Sequence, residues 1–156
     1  MSPLELDALA LSLRVALWSV FVSLPFALAL AWLLARRRFF GKSLLDGIVH
    51  LPLILPPVAV GYLLLILLGR RGLVGEWLFD VFNITIAFTW KGAAVASAVM
   101  AFPLMVRAMR LSLEAVDRKM EQAARTLGAG PFRTFATITL PLMAPGILSG
   151  AILGFA

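Results

Sequence analysis

The sequence has no cysteine, one histidine and one tyrosine, and charged side chains make up only 14% of its 156 residues. Without cysteine there is no disulfide, no thiolate nucleophile and no cysteine metal site. The single histidine, His50, has no cysteine or acidic partner in a ligand motif, so it reads as a polar residue at a membrane interface. No Asp, Glu or His pair falls inside an apolar run, which leaves proton-coupled transport and intramembrane hydrolysis without the ionisable groups they need. A G-x-x-x-x-G-K loop to cradle nucleotide phosphates is missing as well. The chain is therefore expected to be no enzyme, with no catalytic residue and no metal ligand of its own.

What the sequence has in excess is hydrocarbon. Hydrophobic residues make up 62% of it and mean hydropathy is +0.99, against about 45–50% apolar in soluble domains. That leaves too little polar surface to face water, and the class is a membrane protein. Four apolar runs are long enough to cross a bilayer: Leu11 to Ala35, Ile48 to Leu68, Ile84 to Val106, and Ile138 to Ala156. Barrel strands would alternate polar and apolar residues with a period of two, so uninterrupted runs specify helices. The expected fold is an all-α, polytopic transmembrane bundle in a single domain, 1–156, with four spans. The first run follows Glu5 and Asp7 and ends in Arg36-Arg37-Arg38 instead of a small-residue cleavage site, so it is read as a retained span. The fourth stops at Gly154-Phe155-Ala156 with no charged or aromatic anchor, and truncation before further C-terminal helices is expected.

Fourteen basic residues against eight acidic give a net charge of +6. Nucleic-acid binding would interleave basic and aromatic residues on a soluble face, and that pattern is missing. The basic residues instead sort by loop. Residues 36–47 hold Arg36, Arg37, Arg38 and Lys42, and residues 107–137 hold Arg107, Arg110, Arg118, Lys119, Arg125 and Arg133. The opposite side has Arg14, Arg70, Arg71 and Lys91. This asymmetry places both richer loops in the cytoplasm and the N-terminus on the extracytoplasmic side.

Within the spans, Pro52, Pro56 and Pro57 each lack an amide donor and clash with the carbonyl one turn back, so a kink or break is forced there. It serves either as a packing kink or as a discontinuous segment lining a translocation pathway. Gly92, Ala93, Ala94, Ala96, Ser97 and Ala98 form a small-residue face for close helix approach, on which Ser97 either bonds locally or adds a polar group to a pore. Lys91, beside Trp90, reads as an interfacial anchor that snorkels outward.

The loop at 107–137 is long for a connection between spans. From Arg107 to Leu127 it reads as a polar helix, with opposite charges one turn apart at Arg110 and Glu114, Glu114 and Arg118, and Glu121 and Arg125. Gly128 then falls where a left-handed residue closes a helix, and Pro131 begins a second short helix. Glu121-Gln122-Ala123-Ala124-Arg125-Thr126-Leu127-Gly128, followed after nine residues by Ile138-Thr139-Leu140-Pro141, resembles the E-A-A loop of permease subunits of binding-protein-dependent ABC importers. One position departs, Gln122 standing for the first Ala. Leu51 to Gly61 and Ala101 to Arg107 resemble the molybdate branch of these permeases, with sulfate/thiosulfate permeases as near relatives.

The resemblance implies a subunit of the cell inner membrane that imports molybdate, or tungstate, by alternating access. It implies a coupling loop in which Glu121, Gln122, Ala123, Ala124, Arg125, Leu127, Gly128 and Ala129 dock on an ATPase, with Pro52, Pro56, Pro57 and Ser97 as pathway candidates. The implied partners are a dimer of ABC ATPase subunits, which would bind ATP and Mg, a second permease copy, an extracytoplasmic oxyanion-binding protein and the lipid bilayer. The chain itself would hold no cofactor. The competing readings are a sulfate/thiosulfate permease and a self-standing pore or structural membrane protein; acids at Glu114, Asp117 and Glu121 weaken the last by disfavouring a loop that lies on anionic lipid.

Overall fold

The computed structural model describes residues 3–156, and the described residues are almost entirely helical, with no strand among them. Helix α1 covers Pro3–Arg36, α2 Lys42–Ile54, α3 Pro57–Leu68, α4 Leu73–Phe82 and α5 Trp90–Ala115. Helix α6 covers Arg118–Thr126. Beyond it α7 (Pro131–Thr134), a π-helical turn (Phe135–Thr139) and α8 (Leu140–Leu142) run on as one bent rod, followed by α9 (Ala144–Phe155).

Two helices are long and apolar enough to cross a membrane singly, Leu4–Arg36 and Trp90–Ala115. Two further helix pairs pass the same test when each is counted as one broken span. Lys42–Ile54 and Pro57–Leu68 meet at 111°, and Pro131–Leu142 and Ala144–Phe155 meet at 67°. The first break follows from proline chemistry. Leu55 precedes Pro56 and is forced into extended backbone (ψ 145°), Pro56 stands at the N-cap, and Pro57 takes the first helical position, where its missing N–H costs nothing. The prolines thus make a full break, while Pro52 is absorbed inside α2.

Several expected boundaries shift. The first helix begins near Pro3, well before Leu11. The third begins at Trp90 and not at Ile84, because Asn83 closes α4 in the left-handed conformation (φ 53°) and Thr89 caps α5 by accepting from the Gly92 N–H at 3.4 Å. The fourth expected span, Ile138 to Ala156, falls across the second bent pair: Ile138 lies in the arm Pro131–Leu142, and the chain bends at Met143 before Ala144–Phe155. Helix α4 occupies a stretch that the hydropathy pattern had not singled out.

Helices α1 and α5 run parallel. Arg14 stacks over Trp90 at 4.0 Å near their N-terminal ends, and Arg118, just past α5, reaches the Ala35 carbonyl near the end of α1. Helix α9 runs antiparallel to both, laying Gly146, Gly150 and Gly154 successively against Ser112, Met109 and Met105 of α5. The buried core gathers at one end of this trio: Ala27, Ala31 and Leu34 of α1, Met105, Val106, Met109 and Leu113 of α5, with Val116 and Met143. Lipid is as apolar as leucine, so association of these helices rests on close packing, and the small residues on α1 and α9 permit it. Large side chains such as Phe21, Ile54, Val58 and Tyr62 point outward, as a lipid-facing surface requires.

Candidate functional site

The packed core lies directly above the segment 117–142, at the end of the bundle where α1 and α5 both finish. The loop at 36–47 is at this same end, joined to 107–137 by two ion pairs: Arg36 to Glu121 at 2.8 Å and Asp46 to Arg110 at 3.1 Å. The two basic loops therefore share one face.

The expected polar helix from Arg107 to Leu127 is two helices. Helix α5 continues through Arg107 to Ala115, and the chain turns at Val116 and Asp117, whose carboxylate accepts the Lys119 N–H at 2.9 Å and starts α6. The turn changes the charge pairing. Arg110 holds Glu114 at 2.9 Å as spacing predicts. Glu114 does not pair with Arg118, which instead donates to the Ala35 carbonyl at 3.4 Å. Glu121 does not pair with Arg125 but with Arg36, eighty-five residues away. Nor does His50 stand alone: its Nδ1 lies 2.8 Å from the Asp46 carbonyl and 3.4 Å from the Asp46 carboxylate, which also holds Arg110.

The end of α6 is closed by a Schellman motif. The Gly128 N–H donates to Arg125 O and the Ala129 N–H to Ala124 O, both at 3.0 Å, while Leu127 N–H donates to Ala123 O at 3.2 Å. Gly128 sits at φ +86°, which gives the glycine its reason. Pro131 starts α7, and Thr134 turns its hydroxyl back to Gly130 O at 3.0 Å. Ala123 and Ala124 therefore supply carbonyls to the closing motif, with Ala124 half-buried and Ala123, Gln122 and Arg125 exposed. Around them three large apolar side chains stand free of the bundle: Leu127 (88% exposed), Phe132 (83%) and Met120 (52%). These exposed apolar side chains stand on α6, at its C-cap and on α7, at one end of the bundle.

The four pathway candidates are not gathered in one place. Ser97 lines a groove of about 600 Å³ between α1, α5 and α9, with Ser12 across it. Pro52 borders a smaller cavity of about 240 Å³ with Ser23 and Phe102. Pro56 and Pro57 lie exposed at the break between α2 and α3. Two residues of the basic face were invisible in the pattern. Thr139 occupies the variable position of Ile138-Thr139-Leu140-Pro141 and yet donates to Glu121 at 2.8 Å. Asp46, which belongs to no motif, bridges α2 to α5. Both bonds join residues far apart in sequence, and no local spacing encodes them.

An all-helical, multi-pass membrane protein with a capped helical loop on its basic face defines the class: a transport permease subunit. The chain belongs to the family described as binding-protein-dependent transport system inner membrane component, whose model matches residues 23–156. It is similar to the molybdenum transport system permease protein ModB of Haemophilus influenzae, 58% identical over 153 residues covering 98% of this chain and 67% of that protein. ModB of Escherichia coli K12 is 62% identical over 152 residues, 97% of this chain and 66% of that protein. The sulfate transport system permease protein CysT of E. coli K12 is 39% identical over 146 residues, 91% of this chain and 52% of that protein. The chain spans about two thirds of the length of its molybdenum-permease relatives.

Proposed function

We propose that this chain is the membrane-spanning part of an ATP-driven importer that carries molybdate, with tungstate as an alternative cargo of the same shape and charge, into the cytoplasm. The observation that carries the reading is the loop helix α6, capped at both ends and ion-paired through Glu121 to Arg36 at the end of α1. The cargo reading is supported by two relatives about 60% identical that bear the name molybdenum transport system permease. In this reading the basic face, with loops 36–47 and 107–137, is cytoplasmic and the N-terminus is extracytoplasmic.

Two copies would enclose the pathway, because a few helices from one chain leave little lumen between them. An extracytoplasmic binding protein delivers the oxyanion, and a pair of ABC ATPase subunits, which hold ATP and Mg, docks on Met120, Leu127, Phe132 and the turn at Gly128. Closure of the ATPases carries each loop as a rigid body and rocks the helices between inward-facing and outward-facing states. The break at Leu55 and Pro56 supplies irregular backbone where a pathway could be lined, the use to which transporters put broken helices.

Uptake of labelled molybdate into vesicles holding the full-length protein with its ATPase and binding protein tests this. Uptake is expected to require ATP, to be competed by tungstate and to resist an equal excess of sulfate. Competition by sulfate as strong as by tungstate would move the assignment to the sulfate/thiosulfate branch, and uptake without ATP would refute the importer reading.

A further inference from the structure

We infer that Glu121 is a positioning residue that turns inward to clamp the loop to two membrane crossings at once, and that it does not face the ATPase. The inference rests on the importer reading and adds to it how movement of the loop reaches the membrane helices.

Three observations carry it. Glu121 Oε1 accepts from Arg36 Nη2 at 2.8 Å and from Thr139 Oγ1 at 2.8 Å, so one oxygen holds both the last residue of α1 and the end of the π-helical turn leading to α9. The Arg36 and Glu121 side chains are only 10% and 15% exposed, and Thr139 is buried at 2%. Arg36 Nε is also buried and has no partner, so the guanidinium is committed inward and not offered to solvent. Breaking a pair this enclosed strands a charge, which makes the contact stiff. Helix dipoles reinforce it, because Arg36 lies in the last turn of α1 and Glu121 in the first turn of α6.

The surroundings make the clamp specific. Arg118 fastens the start of α6 to the Ala35 carbonyl, while Arg37 is drawn off over Trp32 at 5.6 Å, leaving Arg36 alone of the three consecutive arginines to meet the carboxylate. Arg125, also beside Glu121 around a cavity of about 390 Å³, makes no ion pair among the described residues. The π turn matters too: its wider winding alters the angular position of the residues after it, and Thr139 closes that turn facing Glu121. A push on α6 is thereby passed to α1 and to the arm of α9 through a single carboxylate oxygen.

The experiment compares Arg36→Glu, Glu121→Arg, the double exchange, Glu121→Gln and Thr139→Val in the full-length transporter. It reads ATP hydrolysed per oxyanion moved, the amount of ATPase retained on the permease, and amide exchange over residues 118–126. Each single charge reversal should raise ATP per oxyanion by on the order of tenfold, with ATPase still bound and exchange faster in α6. The double exchange should bring both values back towards wild type, with Glu121→Gln and Thr139→Val in between. Faster exchange with an unchanged ATP ratio would reduce the clamp to a structural contact and overturn the proposal. Loss of the ATPase from Glu121→Arg that the double exchange fails to rescue would also overturn it, since Glu121 would then face the partner. If the wild-type transporter moves no oxyanion, the importer reading fails separately, and unchanged exchange in Glu121→Arg would still refute the clamp.

Discussion

Gly146 packs so close to α5 that a single methyl group there should loosen the bundle. A Cβ built on it lies 2.2 Å from Ser112 Cβ, 2.8 Å from Ser112 Oγ and 3.0 Å from the Ala108 carbonyl. Rotating the Ser112 side chain moves the hydroxyl but not Cβ, so the helices themselves must part. Reaching an ordinary 3.4 Å from 2.2 Å requires α9 to back away by about 1.2 Å. Overpacking of this kind costs about 1–3 kcal/mol, and the better helix propensity of alanine returns at most about 1 kcal/mol, less near a helix start. Gly146→Ala should therefore destabilise by about 1–2 kcal/mol, a fall in Tm of about 2–8 °C for a chain of this size. Gly150 is the internal control, because its added Cβ meets only the flexible tip of Met109, at 3.1 Å, and then backbone at 3.3 Å. Gly150→Ala should stay within about 0.5 kcal/mol of wild type. Thermal unfolding in lipid nanodiscs, followed by tryptophan emission, reads both. Adding Ser112→Gly to Gly146→Ala removes the clashing carbon and should recover about 0.5–3 kcal/mol of coupling energy in a double-mutant cycle. A Tm for Gly146→Ala at or above wild type, or a greater loss in Gly150→Ala, would refute the close approach of α9 to α5.

Three further outcomes follow from the same geometry. At Gly128 no heavy atom lies within 4 Å of an added Cβ, so only the φ of +86° is at stake: Gly128→Val should cost about 1–2 kcal/mol and open the Schellman turn, whereas Gly128→Asn should be nearly neutral, as amide exchange at Gly128 and Ala129 will read. The same pair should separate in vesicle uptake, Val abolishing ATP-driven transport and Asn retaining it, with membrane insertion normal in both. Asp117→Ala removes the cap of α6 and should cost about 0.5–2 kcal/mol locally, seen as faster exchange at Lys119 with α5 unaffected. Thr89→Ala removes both the bond accepted from Gly92 and the one donated to Ile86 O at 2.7 Å; a loss of about 1 kcal/mol, with fraying confined to the first turn of α5, is expected by the same assay.

Much of the helical content was legible because its causes are local. Hydropathy over twenty residues, prolines at Pro56 and Pro57, and a glycine at Gly128 act on the backbone where they stand, so the break and the loop's closing turn could be read directly. Boundaries were less legible. Capped by Thr89, α5 starts at Trp90, six residues after the apolar run begins, because a cap and not hydropathy decides where backbone N–H groups find acceptors. The turn at Val116 and Asp117 was missed for a similar reason: i,i+4 charge spacing runs straight through it, and only Arg110 with Glu114, upstream of the turn, forms the pair that spacing suggested.

By itself the sequence determined that this is a membrane protein of α-helices, that its basic residues concentrate on one side, and that a helix, turn and helix join the third and fourth crossings. These are consequences of composition and short-range stereochemistry, which act before any tertiary contact forms. The tertiary structure decided which charges meet. Arg36 could be read as one of ten residues setting orientation and Glu121 as a surface carboxylate beside Arg125, until the parallel packing of α1 and α5 brought them to 2.8 Å. Thr139 joined them only because the loop folds back under the bundle. An ion pair spanning eighty-five residues depends on where helices end in space, a sum of lengths, crossing angles and bends that no window of sequence contains.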